Sequence, residues 1–154
     1  MRLAIEMKTN DGLLKKLYRD YRLIAALPAV CVILDYLMTF FLAGDTSLII
    51  SWEASPLVRF AVINHVMIPY LVAIVLFYYL AAYAVLRIVD GTVYYKFGVM
   101  LIILLSITHL IGGMSWYFRN MMYSNGVLMM SVLSIILAFV IFSFSLIREH
   151  AVNR

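Results

Sequence analysis

Four long apolar runs dominate this chain: Leu23 to Ala43, Phe60 to Val89, Phe97 to Phe118 and Val127 to Ile147. A bilayer crossing needs about 20 consecutive apolar residues in helical form, because backbone polar groups in hydrocarbon must find their partners within the segment. Each run meets that length, and together they take up most of the 154 residues. The expected fold is therefore an all-α membrane protein, a compact antiparallel bundle of four transmembrane helices forming a single integral domain over residues 1–154. Composition agrees: 66% of residues are hydrophobic and 13% charged, against about half and a quarter in soluble domains. No room is left for a separate soluble catalytic domain, and the chemistry is expected within or beside the bilayer.

Charge gives an orientation. Ten basic residues fall on one side of the spans: Arg2, Lys8, Lys15, Lys16, Arg19, Arg22, Arg87, Lys96, Arg148 and Arg154. Only Arg59 and Arg119 flank the other side. The positive-inside rule then places both termini in the cytoplasm of a multi-pass cell-membrane protein. The net charge of +4 reads as this orientation signal plus attraction to anionic headgroups; no nucleic-acid partner is expected. Residues 1–22 carry Leu13, Leu14, Leu17 and Tyr21 at helical spacing beside Lys15, Lys16 and Arg19, the pattern of an interfacial amphipathic helix. Cys31 is the single cysteine and reads as a small core residue.

The connection 44–59 is an external loop or a shallow re-entrant segment: Leu48, Ile49 and Ile50 are set among Asp45, Ser47, Trp52, Glu53, Ser55 and Pro56. The second run, 30 residues long, exceeds one crossing and contains Pro69, a site for a kink. Asp90-Gly91-Thr92 and Asn120 with Asn125-Gly126 read as turns.

The spans hold three ionisable groups suited to acid, base or ligand chemistry: Asp35, His65 and His109. On straight helices rising 1.5 Å per residue, all three lie roughly 8 to 14 Å below the external ends. Asp35 is the leading candidate, since an acid in lipid is costly and turns inward to a partner. Thr39 lies one turn away on its face. Asn64 adjoins His65, and Ser106 lies one turn before His109, with Gly112 and Gly113 just beyond. Two imidazoles and a carboxylate match a mononuclear zinc centre with a water position, and Glu53 is a candidate fourth ligand or base. On that expectation Asp35, His65, His109 and Glu53 hold the metal, and Glu53 or Asp35 accepts the proton of metal-bound water. Trp52, Trp116 and Tyr117 read as an aromatic belt or entrance.

The order Asp35-x-x-x-Thr39, Gly44, Glu53-x-x-Pro56 resembles the pattern of a small prokaryotic four-helix membrane family of unknown function, with Ser55 here where that pattern has Asn. The resemblance covers residues 31 to 60; it implies that Asp35 and Glu53 act as a pair and supplies no activity.

The reading from the residues is a metal-dependent intramembrane hydrolase acting on a lipid-like or membrane-embedded substrate near the external leaflet, with membrane lipids around it and a homo-oligomer as a possible assembly. The alternatives are a proton or divalent-cation transporter or channel built on the same polar residues, a haem-binding electron-transfer protein using His65 and His109 as axial ligands, and a structural membrane subunit.

Overall fold

The computed structural model describes residues 18–152. The interfacial helix expected over residues 1–22 lies outside the described residues for positions 1–17. Six helices follow: α1 (Tyr21–Ala43), α2 (Thr46–Trp52), α3 (Pro56–Ile63), α4 (Met67–Val89), α5 (Tyr95–Phe118) and α6 (Met121–Val152). Four stretches are long and apolar enough to cross a membrane: Tyr21–Ala43, Met67–Val89, Tyr95–Phe118 and Met121–Ile141.

Local chemistry sets the boundaries. Asp20 caps α1 by accepting from the backbone N–H groups of Arg22 and Leu23 at 3.1 and 3.4 Å, satisfying donors that a helix start leaves unpaired. Gly44 ends α1 with φ +73°, a left-handed conformation that costs a glycine little. Asp45 then caps α2 through the Ser47 N–H at 3.0 Å. Ser55 caps α3 with Pro56 at its first position, where the missing N–H removes no helical bond.

Three boundaries differ from the sequence expectation. The continuous run 60–89 is broken, and α3 ends at Ile63. His65 takes φ +56°, and α4 begins afresh at Met67. Pro69 is not the cause, for it is the third residue of α4, where a helix has no N–H partner to lose. The break is the turn Asn64–Val66, with the Asn64 side chain donating to the Phe60 carbonyl at 2.8 Å. At the other junction, Asn120 accepts from the N–H groups of Met122 and Tyr123 at 2.8 and 3.3 Å. That cap starts α6 at Met121 rather than Val127, and the helix passes through Asn125 and Gly126. The segment 44–59, read as an external loop or a shallow re-entrant segment, contains α2 and the first four residues of α3.

Pairing along the chain gives the helix directions. Tyr95 donates to the Tyr18 carbonyl, His109 meets Asp35 and Arg119 donates to the Leu42 carbonyl. These contacts advance in the same order on both helices, so α1 and α5 run parallel, side by side. Tyr21 meets Tyr83 while Tyr36 meets Tyr70, so α4 runs antiparallel to α1. α6 lies along α5, with Tyr123 donating to the Ile111 carbonyl at 2.8 Å.

Glycine brings α1 and α5 together. A methyl group at Gly113 would stand 3.0 Å from the Asp35 Cα, 3.0 Å from the Met38 Cβ and 3.1 Å from the Asp35 carbonyl oxygen. Lipid tails give two helices no hydrophobic reason to associate, so close packing of this kind and interhelical hydrogen bonds carry the contact.

Two buried clusters fill the molecule. Ile24, Ala25, Ala82, Leu86, Val99 and Ile102 form one, toward the 90–94 turn. The second comprises Ala43, Ile49, Val58 and Val62, with Tyr36, Phe40, Met67, Tyr70 and Trp116 against it. Ile49, 1% exposed, anchors α2 in this second cluster, so α2 and α3 fold over one end of the long helices as a cap.

Candidate functional site

Asp35 and His109 come together as the depth argument requires. Nδ1 of His109 lies 2.9 Å from Oδ2 of Asp35, across the α1–α5 seam that Gly113 holds close. A methyl at Gly112 would reach within 3.5 Å of Oδ2 and 3.7 Å of Oδ1. Those are ordinary contact distances, so the close approach rests on Gly113 and Gly112 lies alongside the carboxylate. For an ionised carboxylate and a neutral imidazole, the contact has Nδ1 donating to Asp35 and Nε2 as the acceptor. Among the described residues Nε2 has no hydrogen-bond partner, and no unpartnered side-chain nitrogen or oxygen there is fully enclosed. The side chains of His109 and Asp35 keep 19% and 21% of their exposure.

Tyr78 on α4 completes the wall: its ring meets the imidazole edge to face, with centroids 4.7 Å apart and planes at 87°. Such contacts favour one ring orientation. Beside Asp35, Tyr36 on α1 and Tyr70 on α4 place their hydroxyl oxygens 2.9 Å apart. Asp35 lies within electrostatic range of Tyr36 and Tyr78.

Glu53 approaches from the cap. It sits between α2 and α3, and Oε1 accepts the Ser55 N–H at 3.0 Å. Burial pushes its carboxyl above the ordinary glutamate value, and the charge of Asp35 adds to the rise; the Ser55 and Ala54 N–H groups and Arg59 oppose it. The carboxyl therefore holds its proton at a pH where an exposed glutamate would have lost it. Asp35 and His109 are in contact, and Glu53 is linked to Asp35 through its charge alone.

The expected four-ligand zinc set is not assembled. The unbroken run 60–89 predicts His65 within a span, whereas it occupies the exposed turn between α3 and α4. Among the described residues no three His, Cys, Asp or Glu side chains form a group that could hold a metal ion. The same displacement removes His65 and His109 as a facing pair of haem ligands. Asn64, expected beside the site, caps the end of α3. Thr39 is buried one turn from Asp35, and Ser106 is buried with its hydroxyl on the Ile102 carbonyl at 2.7 Å. Trp116 packs into the cap cluster, while Trp52 and Tyr117 are exposed.

Sequence reasoning missed Tyr36, Tyr70 and Tyr78. Their signal is a hydroxyl inside an apolar run, which reads equally as packing.

No protein-family model, no characterised protein and no solved structure matches the chain.

Proposed function

We propose that this chain is an intramembrane hydrolase in which His109, oriented by Asp35, takes a proton from water at the cap end of the bundle, taken as the external side, while protonated Glu53 supplies one to the leaving group. The observation that carries this reading is the 2.9 Å contact of Asp35 with His109 Nδ1, which leaves Nε2 as a proton acceptor. A carboxylate that fixes the tautomer and stabilises the imidazolium is a recurring device for making histidine a general base.

Magnitudes argue against a purely structural dyad. An acid at mid-span costs about 2.5–3.5 kcal/mol on insertion scales, whereas interhelical hydrogen bonds in membranes return about 0.6 kcal/mol on average and about 1.7 at most. Packing of α1 on α5 needs Gly113, not Asp35.

In the reaction, the oxygen of water bonds to the acyl carbon as its proton passes to Nε2. The bond from that carbon to the leaving oxygen then breaks, and the leaving oxygen takes the Glu53 proton. His109 lies in the cap-side half of α5, and Glu53 lies between α2 and α3. Toward the other end lies the apolar cluster of Ile24, Leu86, Val99 and Ile102.

The test is hydrolysis of an acyl lipid by the protein in nanodiscs made with 18O water. One 18O atom should enter the released fatty acid, and His109→Ala should reduce the rate at least about a hundredfold, in keeping with loss of a general base. Release that is unchanged in His109→Ala would refute the reading.

A further inference from the structure

We infer that the substrate is an uncharged, hydroxyl-bearing acyl lipid, with its carbonyl oxygen held by the Tyr36–Tyr70 hydroxyl pair; this rests on the hydrolase reading and names its substrate class.

The argument starts from hydrogen-bonding capacity. Each phenol has one proton. In the contact at 2.9 Å one hydroxyl donates to the other, so the pair keeps one O–H, and neither oxygen has another hydrogen-bond partner among the described residues. The Tyr78 hydroxyl likewise has none there. Donors in an apolar setting are expensive unless they meet an acceptor. On the accepting side, Asp35 Oδ1 and His109 Nε2 have no partner among the described residues. The site thus offers phenol donors to a carbonyl and acceptors to a hydroxyl or water.

Charge then selects among lipids. Asp35 and Glu53 are acids, and no Lys or Arg occurs between Leu23 and Val58, between Phe60 and Leu86, or between Phe97 and Phe118. At the cap end Arg119 donates to the carbonyls of Trp116 and Leu42 at 3.3 and 3.1 Å, and Arg59 stands on α3, off the long helices that carry the dyad. An anionic phosphate or carboxylate held beside the dyad would face Asp35 with no Lys or Arg of α1, α4 or α5 at that level, whereas an ester carbonyl with a neighbouring hydroxyl meets a partner for each polar group.

The test compares two probes that differ in charge and share their acyl chains: dioctanoylglycerol and dioctanoyl phosphatidic acid. Each is titrated into protein in phosphatidylcholine nanodiscs, with binding read by native mass spectrometry. Dioctanoylglycerol should bind at least about tenfold more tightly than the phosphatidic acid, and Tyr36→Phe/Tyr70→Phe should weaken it by about five- to tenfold, the size of one buried hydrogen bond. Equal or tighter binding of the phosphatidic acid overturns the inference, as does binding of dioctanoylglycerol that ignores the two hydroxyls. Tyrosine-dependent binding without His109-dependent hydrolysis supports this substrate class and overturns the hydrolase reading. His109-dependent hydrolysis that runs equally well on phosphatidic acid supports the hydrolase reading and overturns the substrate class.

Discussion

His109 and Asp35 are 74 positions apart in sequence and 2.9 Å apart in space, joined across two parallel helices. If their bond contributes as other interhelical bonds in membranes do, Asp35→Leu will cost little stability, because it also relieves the burial of an acid. We expect a change within about 2 kcal/mol by reversible unfolding in detergent, together with loss of hydrolysis. A drop of about 5 kcal/mol or more would mark the dyad as structural.

Gly113→Ala tests the geometry from the other side. The added methyl would meet the Cα and carbonyl of Asp35 at 3.0 and 3.1 Å, and these backbone atoms have no flexible end to move aside. The helices must part, at about 1–3 kcal/mol for overpacking, and the Asp35–His109 bond must lengthen. Cysteine pairs placed across α1 and α5 near the dyad should cross-link more slowly in Gly113→Ala than in the parent; unchanged cross-linking would contradict the close approach.

Glu53 gives stability a pH dependence whose sign follows from burial. A carboxyl with a higher pKa folded than unfolded binds more protons in the folded state, so stability is greatest at low pH. It should fall as pH rises from about the ordinary value of 4.5 through the raised folded value, and level off above it. Midpoints of chemical unfolding across that window should show the slope in the parent and lose it in Glu53→Gln. The same slope in both proteins would show that Glu53 is not held in its neutral form by the fold.

His65 is held at φ +56° in an exposed turn, a conformation that costs a residue with a Cβ about 1 kcal/mol or more. His65→Gly should stabilise the chain by about 1 kcal/mol and leave hydrolysis unchanged. A loss of activity in a well-folded His65→Gly protein would return His65 to the site.

Much of the fold was legible because bilayer physics demands long apolar helices, and four appear near the expected places. The depth of Asp35 and His109 was legible for the same reason: a straight helix converts residue number to height. His65 failed that conversion because its height was counted along a helix that stops at Ile63, and hydropathy does not distinguish one long helix from two with a left-handed turn between them. Asn125 and Gly126 look like a turn, yet the Asn120 cap fixes the start of α6 six residues ahead of Val127, and a helix already begun tolerates both. The tyrosines could not be assigned because a phenol reads equally as packing or as a hydroxyl donor. Only the side-by-side approach of α1 and α4 shows Tyr36 and Tyr70 sharing a bond.

The central claim is that Asp35 sets the protonation pattern of His109. The most direct measurement is two-bond 15N–1H correlation of histidine-labelled protein in nanodiscs, with His109 identified by its absence from His109→Gln. The account predicts an imidazole protonated on Nδ1 with a bare Nε2, and a changed Nδ1 shift in Asp35→Asn. An Nε2-protonated His109, indifferent to Asp35→Asn, would contradict it.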